Sequence, residues 1–583
     1  MRRLTLALAL AALSAPVWAV PEAAQESLDK ARAALSRGDG IAAEAELQRT
    51  LGAGATRADI AADMGEAYIQ QGERKKAREW LGPAQFAKGG EARGWRLLGL
   101  LERLDGNLPA AGRALDRAIA AGPKDPLVWV EVGRLRYQGG EQLQAIEAAE
   151  EALKHGPEEP RALEFMAQLV RDSAGDAAAL PFYERALEVT PDDLSLLGGY
   201  AAALGEMGRG REMLAVTRKM IGIDPGAPLP FYLQAVLAAR AGKTELARAM
   251  LNRCGNRLDG MPAAKLLLGA LELEAGNANL AVQHLSRLAD QQGANPWVQL
   301  LLARALYEAG DTKQLFARYG AQAGRGDASP YLLTVLARAY EDMGDRAAAA
   351  PLLERAAAAL PAAVMAIPDG SGASVRGLLA AGNVAGAVRV GSAAVDQRPG
   401  SSEALAQLGD AELLAGQPGR AFDRYSLAAR VRFTDQLALR SAIALEQGGR
   451  ANQVPALAAG YLGIYPSSRL MARLAANLAI GAGDWAQARL ILENLRLRGG
   501  SRDARLMADL GLAQLRTGDA EAALNSAARA RAIAPASSFA VLVHALALAE
   551  REETRDQARQ LVAQAAKIDP KHPLLAEARR KLR

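Results

Sequence analysis

PYLLTVLARAYEDMGDRAAAAPLLERAAAALP, from Pro330 to Pro361, decides how the chain is read. Leu333, Leu336, Ala337 and Tyr340 follow the three-and-four spacing that gathers apolar residues on one side of a helix. Met343-Gly344-Asp345 interrupts that period, and Ala349, Leu353 and Ala356 resume it. Pro330 stands where a proline opens a helix and Pro361 where one closes the unit. The stretch predicts two helices joined by a short turn at Gly344.

The same pattern recurs in register. Backward from Gly344, steps of about 34 residues reach Gly310, Gly276, Gly242, Gly208, Gly175, Gly140, Gly106, Gly72 and Gly38. Forward, similar steps reach Gly382, Gly416, Gly449, Gly483 and Gly518, and a sixteenth unit turns at Glu552-Glu553 without a glycine. The clearest copies share further positions. The third unit carries Trp95, Leu98, Gly99, Ala111, Leu115, Ala118 and Pro123 around Gly106, and the second carries Gly65, Tyr68, Ala77, Leu81 and Ala84 around Gly72. Small residues at these sites let two helices approach closely while Leu fills the space beside them.

With its period and these marks, the stretch from about residue 22 to 570 resembles the tetratricopeptide repeat family. The resemblance implies an all-α superhelical solenoid of about sixteen helix-turn-helix units. Its function class would be a non-catalytic scaffold that takes a protein or peptide partner in a concave groove lined by the first helix of each unit. His572 to Arg583 reads as a capping helix, with Leu574, Leu575, Ala578 and Leu582 inward and Arg579, Arg580, Lys581 and Arg583 outward. The expected organisation is a signal peptide at 1–19 and units one to ten at 20–361. An irregular, hinge-like stretch at 362–374 follows, then units eleven to sixteen at 375–570 and the cap at 571–583. The irregularity lies in the spacing of closing and opening prolines, three residues at Pro123 and Pro126 but seven at Pro361 and Pro368. Asp369-Gly370-Ser371-Gly372 then stands where a first helical turn belongs. The array should be weakest here.

Half of the residues are hydrophobic but only 4% are aromatic, which suits thin layers of Ala and Leu between helices and leaves few stacking platforms for bases or sugars. With 70 Lys and Arg against 65 Asp and Glu the net charge is +5, and removal of Arg2 and Arg3 would bring it to +3. Nucleic-acid binding is not expected from so even a balance. His155, His284, His544 and His572 are scattered, so no metal site is expected, and no catalytic or cofactor-binding residues stand out. Cys254, the only cysteine, occupies a slot filled by Ala118 and Ala356 in other units and reads as a small buried hydrophobe.

The position six residues before the turn is expected to face the groove. In units nine, ten and eleven it holds Arg304, Arg338 and Arg376, which together suit bidentate contacts with an acidic ligand. Glu308 and Asp342, each four residues on, suit ordinary helix ion pairs with the first two instead. Both readings stay open. The Lys and Asn pair by which some cytosolic relatives grip a C-terminal carboxylate is missing from the matching positions.

Residues 1–19 have the anatomy of a secretory signal: Arg2-Arg3, an apolar run from Leu4 to Leu13, Pro16, and Val17-Trp18-Ala19 before the cut. General secretion is favoured over a twin-arginine route, and an uncleaved anchor is disfavoured by the short run. No later stretch of membrane-spanning length lacks a charge. A periplasmic place follows, with an extracellular or peripherally membrane-bound one as the alternative. The overall form is similar to periplasmic tetratricopeptide proteins of exopolysaccharide assembly and export, so association with an envelope complex is expected. The rivals are an accessory subunit of a glycosyltransferase or other envelope enzyme, and a protein that binds polysaccharide directly. The mature chain should begin at Val20, and N-terminal sequencing that recovers Arg2 or Arg3 on most molecules would overturn export.

Overall fold

The computed structural model describes residues 22–357 and 372–583, except 294, 326, 327 and 536. The expected signal peptide at 1–19 lies outside these residues, as does the irregular stretch at 362–374 up to residue 371. Among the described residues there are 33 α-helices and no strand. They form sixteen consecutive helix-turn-helix pairs and one terminal helix, the all-α repeat solenoid read from the spacing.

The turn repeats because a positive φ repeats at its glycine. All fifteen register glycines, from Gly38 to Gly518, have φ between +70° and +85°, the left-handed region that costs a residue with a Cβ. In the tenth unit the helix Pro330–Asp342 ends as the Gly344 N–H donates to the Glu341 carbonyl at 2.9 Å and the Asp345 N–H to the Tyr340 carbonyl at 2.9 Å. These two bonds satisfy carbonyls that the helix leaves orphaned. Asp345 then accepts from the Ala348 N–H at 2.9 Å and so starts the next helix. The residue after the glycine caps in the same way at Asp39, Asp311, Asn383, Asp484 and Asp519. The sixteenth unit replaces the glycine with a short 3-10 turn, Glu552–Thr554. Opening prolines occupy the first helical turn at Pro126, Pro160, Pro228, Pro262, Pro296 and Pro330.

Within a unit the two helices touch at a crossing that has no room for a side chain. A Cβ added to Gly99 would lie 2.7 Å from the Leu115 Cγ. At Gly65 it would meet Leu81 at 2.4 Å, and at Gly269 it would meet Leu285 at 2.7 Å. Each Leu stands sixteen residues after its glycine, so the contact is a property of the repeat. Cys254 is buried as expected, but it lies past the end of the helix Thr244–Asn252, leading into a 3-10 turn at Gly255–Gly260. Burial pushes its thiol pKa up.

The helices fall into two compact bodies. The first comprises residues up to Ala415 with Leu427–Arg432; the second comprises Gly416–Ser426 with Phe433–Arg583. In the second, the terminal helix Leu574–Lys581 buries Leu575 and Ala578 against Val541, Leu542 and Ala545, while Arg579, Arg580 and Lys581 stay exposed. Arg516 holds it through paired bonds of 2.6 Å to both oxygens of Glu577.

The crossing makes a paired prediction. Gly99→Val should destabilise by about 1–3 kcal/mol through overpacking. Gly112→Ala should be neutral or stabilising by up to ~1 kcal/mol, because the added Cβ meets only Leu135 at 3.9 Å. Urea midpoints of the two variants give the comparison, and equal midpoints would overturn this account of the crossing.

Candidate functional site

A cavity of about 660 Å³ opens in the first body. Every residue lining it belongs to the first helix of a unit, across four consecutive units. Arg103 comes from Glu91–Leu104, and Arg134, Tyr137 and Gln138 come from Pro126–Gly139. Arg161, Glu164, Phe165 and Gln168 come from Pro160–Ala174, and Ser195 from Leu194–Glu206. Gly133 lets the Phe165 ring pack against its helix, since a Cβ there would lie 2.5 Å from the ring. The Arg134 guanidinium sits 5.9 Å from the centre of that ring.

In and beside the cavity runs a ladder of buried carboxylates. Glu131, only 4% exposed, takes Arg103 at 3.1 Å from the preceding unit and Arg134 at 3.0 Å from its own helix. Glu164, 5% exposed, takes Arg161 at 2.9 Å and the Ser195 hydroxyl at 2.6 Å. Arg161 also reaches Asp193 at 2.8 Å. Burial works against the charge on Arg161, but Glu164 and Asp193 outweigh it and raise its pKa. The same device recurs at Asp63, held by Arg32 and Arg93, and at Asp509, held by Arg473 and Arg505. Buried charges persist only when paired in this way. Gln138 and Gln168 differ from their neighbours, because among the described residues their side-chain amides make no hydrogen bond.

Arg304, Arg338 and Arg376 lie on the first helices Pro296–Glu308, Pro330–Asp342 and Gly372–Ala380. Arg304 pairs with Glu308 at 2.7 Å and approaches Glu274 at 3.9 Å. Arg338 pairs with Glu341 at 2.6 Å rather than with Asp342, and Asp342 raises the pKa of Tyr307 in the preceding unit. Arg376 is half-buried. The cavity is not at these three units. It lies around Arg134, which occupies the same position six residues before a turn glycine, as Arg32 does in the first unit. Two further features escaped sequence reasoning. Trp297 and Tyr331, at the second position of successive first helices, are 77% and 46% exposed. Among the described residues no group of three or more His, Cys, Asp or Glu is placed to hold a metal, and no helix is long and apolar enough to cross a membrane.

In the second body one histidine is not at the surface. His544, on Ser538–Leu548, is 8% exposed and its Nδ1 makes no hydrogen bond. Burial, then the positive charge of Arg531, push its pKa down to about 4. An unfolded chain would take up a proton on this ring at its ordinary value, so stability is retained above that value and lost as pH falls toward 4. Thermal denaturation of the protein at pH 7 and pH 4.5 should therefore show a smaller acid-induced loss in His544→Gln than in the natural chain. Equal losses would overturn the assignment.

The family model of the tetratricopeptide repeat matches residues 62–126 and 473–538, two stretches that each span two units. No curated protein matches the chain. Among solved structures, a chain of the APC/C hetero-tetramer is 13% identical and aligns over 96% of both chains with a TM-score of 0.43. A tetratricopeptide repeat protein from Parabacteroides merdae is 17% identical over 49% of this chain and 99% of its own, with a TM-score of 0.33. PilW, a type IV pilus biogenesis factor, is 16% identical over 36% of this chain and 98% of its own, with a TM-score of 0.32. Likenesses at this level carry nothing about partner or pathway.

Proposed function

We propose that this protein is an exported, non-catalytic scaffold that binds a protein partner along the face made by its first helices, in a bacterial envelope where surface polymer is assembled or secreted. The observation that carries the binding face is the cavity itself, walled by first-helix residues of four successive units with no contribution from any second helix. Its polar groups fall into two kinds. Arg103, Arg134 and Arg161 are fixed by buried carboxylates and keep further donors for an acidic side chain. Gln138 and Gln168 offer unused amide donors and acceptors to a peptide main chain. Arg304, Arg338 and Arg376 extend the same face toward an acidic segment, with Arg304 and Arg338 held upright by carboxylates of their own helices. Export rests on the apolar, arginine-led start of the chain, and the polymer setting on likeness of overall form.

A second reading has one observation in its favour. Trp297 and Tyr331 are the kind of exposed aromatic pair that stacks on sugar rings, and they would let the array hold polysaccharide directly.

One set of variants separates the readings by capture from envelope extract and by electrophoresis through polymer-containing gels. Gln138→Ala with Gln168→Ala should weaken partner capture about tenfold, the loss of two hydrogen bonds, at unchanged thermal stability. Arg304→Ala, Arg338→Ala and Arg376→Ala combined should weaken it further and reduce its salt dependence. Unchanged capture in both variants would overturn the protein-binding face. Retardation by polymer that disappears in Trp297→Ala with Tyr331→Ala would favour the second reading.

A further inference from the structure

Two turns far apart in sequence meet in the first body. The helix Gln142–His155, second helix of the fourth unit, begins at Glu141 with no side-chain cap. Its Leu143 N–H, one of the donors a helix start leaves unsatisfied, donates instead to the Gly400 carbonyl at 3.2 Å. The exchange is mutual. Ser402 opens the helix Ser402–Leu414, and its N–H donates to the Gln142 side-chain oxygen at 2.9 Å across 260 residues of chain. Each of the two helix starts thus supplies an acceptor to the other.

The surrounding residues fit the contact closely. A Cβ on Gly400 would lie 2.1 Å from the Gln144 Oε1, 3.0 Å from the Leu143 N and 3.1 Å from the Gln142 N. A side chain at this position would have to displace the Gln144 amide and press on the two backbone N–H groups. Across the turn, Arg398 packs its Cδ 3.0 Å from where a Cβ of Gly140 would stand. Gly400 and Ser401 are buried although they lie in an inter-unit loop, where exposure is the rule. Tyr137, which lines the cavity one turn before Gly140, also feels the charge of Arg432, which follows the helix Pro418–Val431.

We infer that the turns at Gly140–Gln144 and Arg398–Ser402 form a latch, in which two helix N-termini cap one another and close the first body on itself beside the cavity. A latch of two hydrogen bonds and one glycine contact is weak enough to open, and its opening would widen the approach to Tyr137 and Gln138 for a bulky partner. It stands on contacts within the chain and does not depend on which ligand the cavity takes.

Hydrogen exchange on the full-length protein tests it without a partner. The N–H of Glu245 occupies the matching place in the seventh unit, three residues after Gly242, and has no acceptor among the described residues. If the latch forms, Leu143 and Ser402 should exchange about fivefold or more slowly than Glu245. In Gly400→Val that protection should vanish at both amides while the helix Pro126–Gly139 keeps its own. Gln142→Ala, which disturbs no packing, should release Ser402 more than Leu143. Exchange at Leu143 and Ser402 as fast as at Glu245 in the natural chain, or undiminished protection in Gly400→Val, would overturn the latch.

Discussion

The left-handed glycine between the two helices of each unit is the constraint on which everything else rests. A φ near +75° at this single residue reverses the chain within one peptide step and lets the next N–H groups satisfy the carbonyls at the helix end. The Asp or Asn that follows in six units then starts the second helix at once. Ending one helix and starting the next in three residues fixes their relative direction. That in turn brings the glycine seven residues before the turn against the leucine nine residues after it, as at Gly99 and Leu115. Turn and crossing therefore enforce one another, and a substitution at either strains both.

Because each crossing is closed by Ala, Gly and Leu, the apolar layer stays thin and large side chains are not required inside. Polar groups can then sit deep on the first-helix face at little cost, provided they are paired. Glu131 and Glu164 are nearly inaccessible, yet each receives two donors, one of them from a neighbouring unit. Pairs that bridge units tie consecutive repeats along the same face that lines the cavity. Because each carboxylate has two donors, losing one weakens the pairing without leaving the buried charge alone. The face is thus structural below and available above.

How much of this was legible follows from the range over which each feature repeats. The turn glycines, opening prolines and the Gly-to-Leu offset of sixteen residues are local and periodic, so the fold could be read from residues alone. The buried carboxylates could not, because their partners vary: Asp63 uses arginines from the units on both sides, Asp509 one from before and one from its own helix. Glu164 also stands eleven residues before Gly175, where Asp63, Glu131 and Asp509 each stand nine before their turn glycine, so a fixed offset would miss it. Arg338 pairs with Glu341, three residues on, where the four-residue spacing pointed to Asp342. The meeting of Leu143 with Gly400 has no periodic trace at all.

The pairing of the arginines has a consequence for what kind of ligand this face suits. A guanidinium carries five N–H donors in a fixed plane, and Arg134 uses one of them on a single oxygen of Glu131 while the group also lies near the Phe165 ring. A ligand carboxylate can therefore be added without breaking the existing pair, so the cost of desolvating and orienting the arginine has already been met by the fold. The same pairing lowers the net field, since Glu131 and Glu164 stand directly behind the arginines they hold. Long-range attraction of an acidic partner is accordingly weak, and recognition must come from short-range geometry repeated over several units. Affinity on such a face grows by adding rungs rather than by strengthening one, which favours an extended segment that crosses four first helices over a compact ion that touches one.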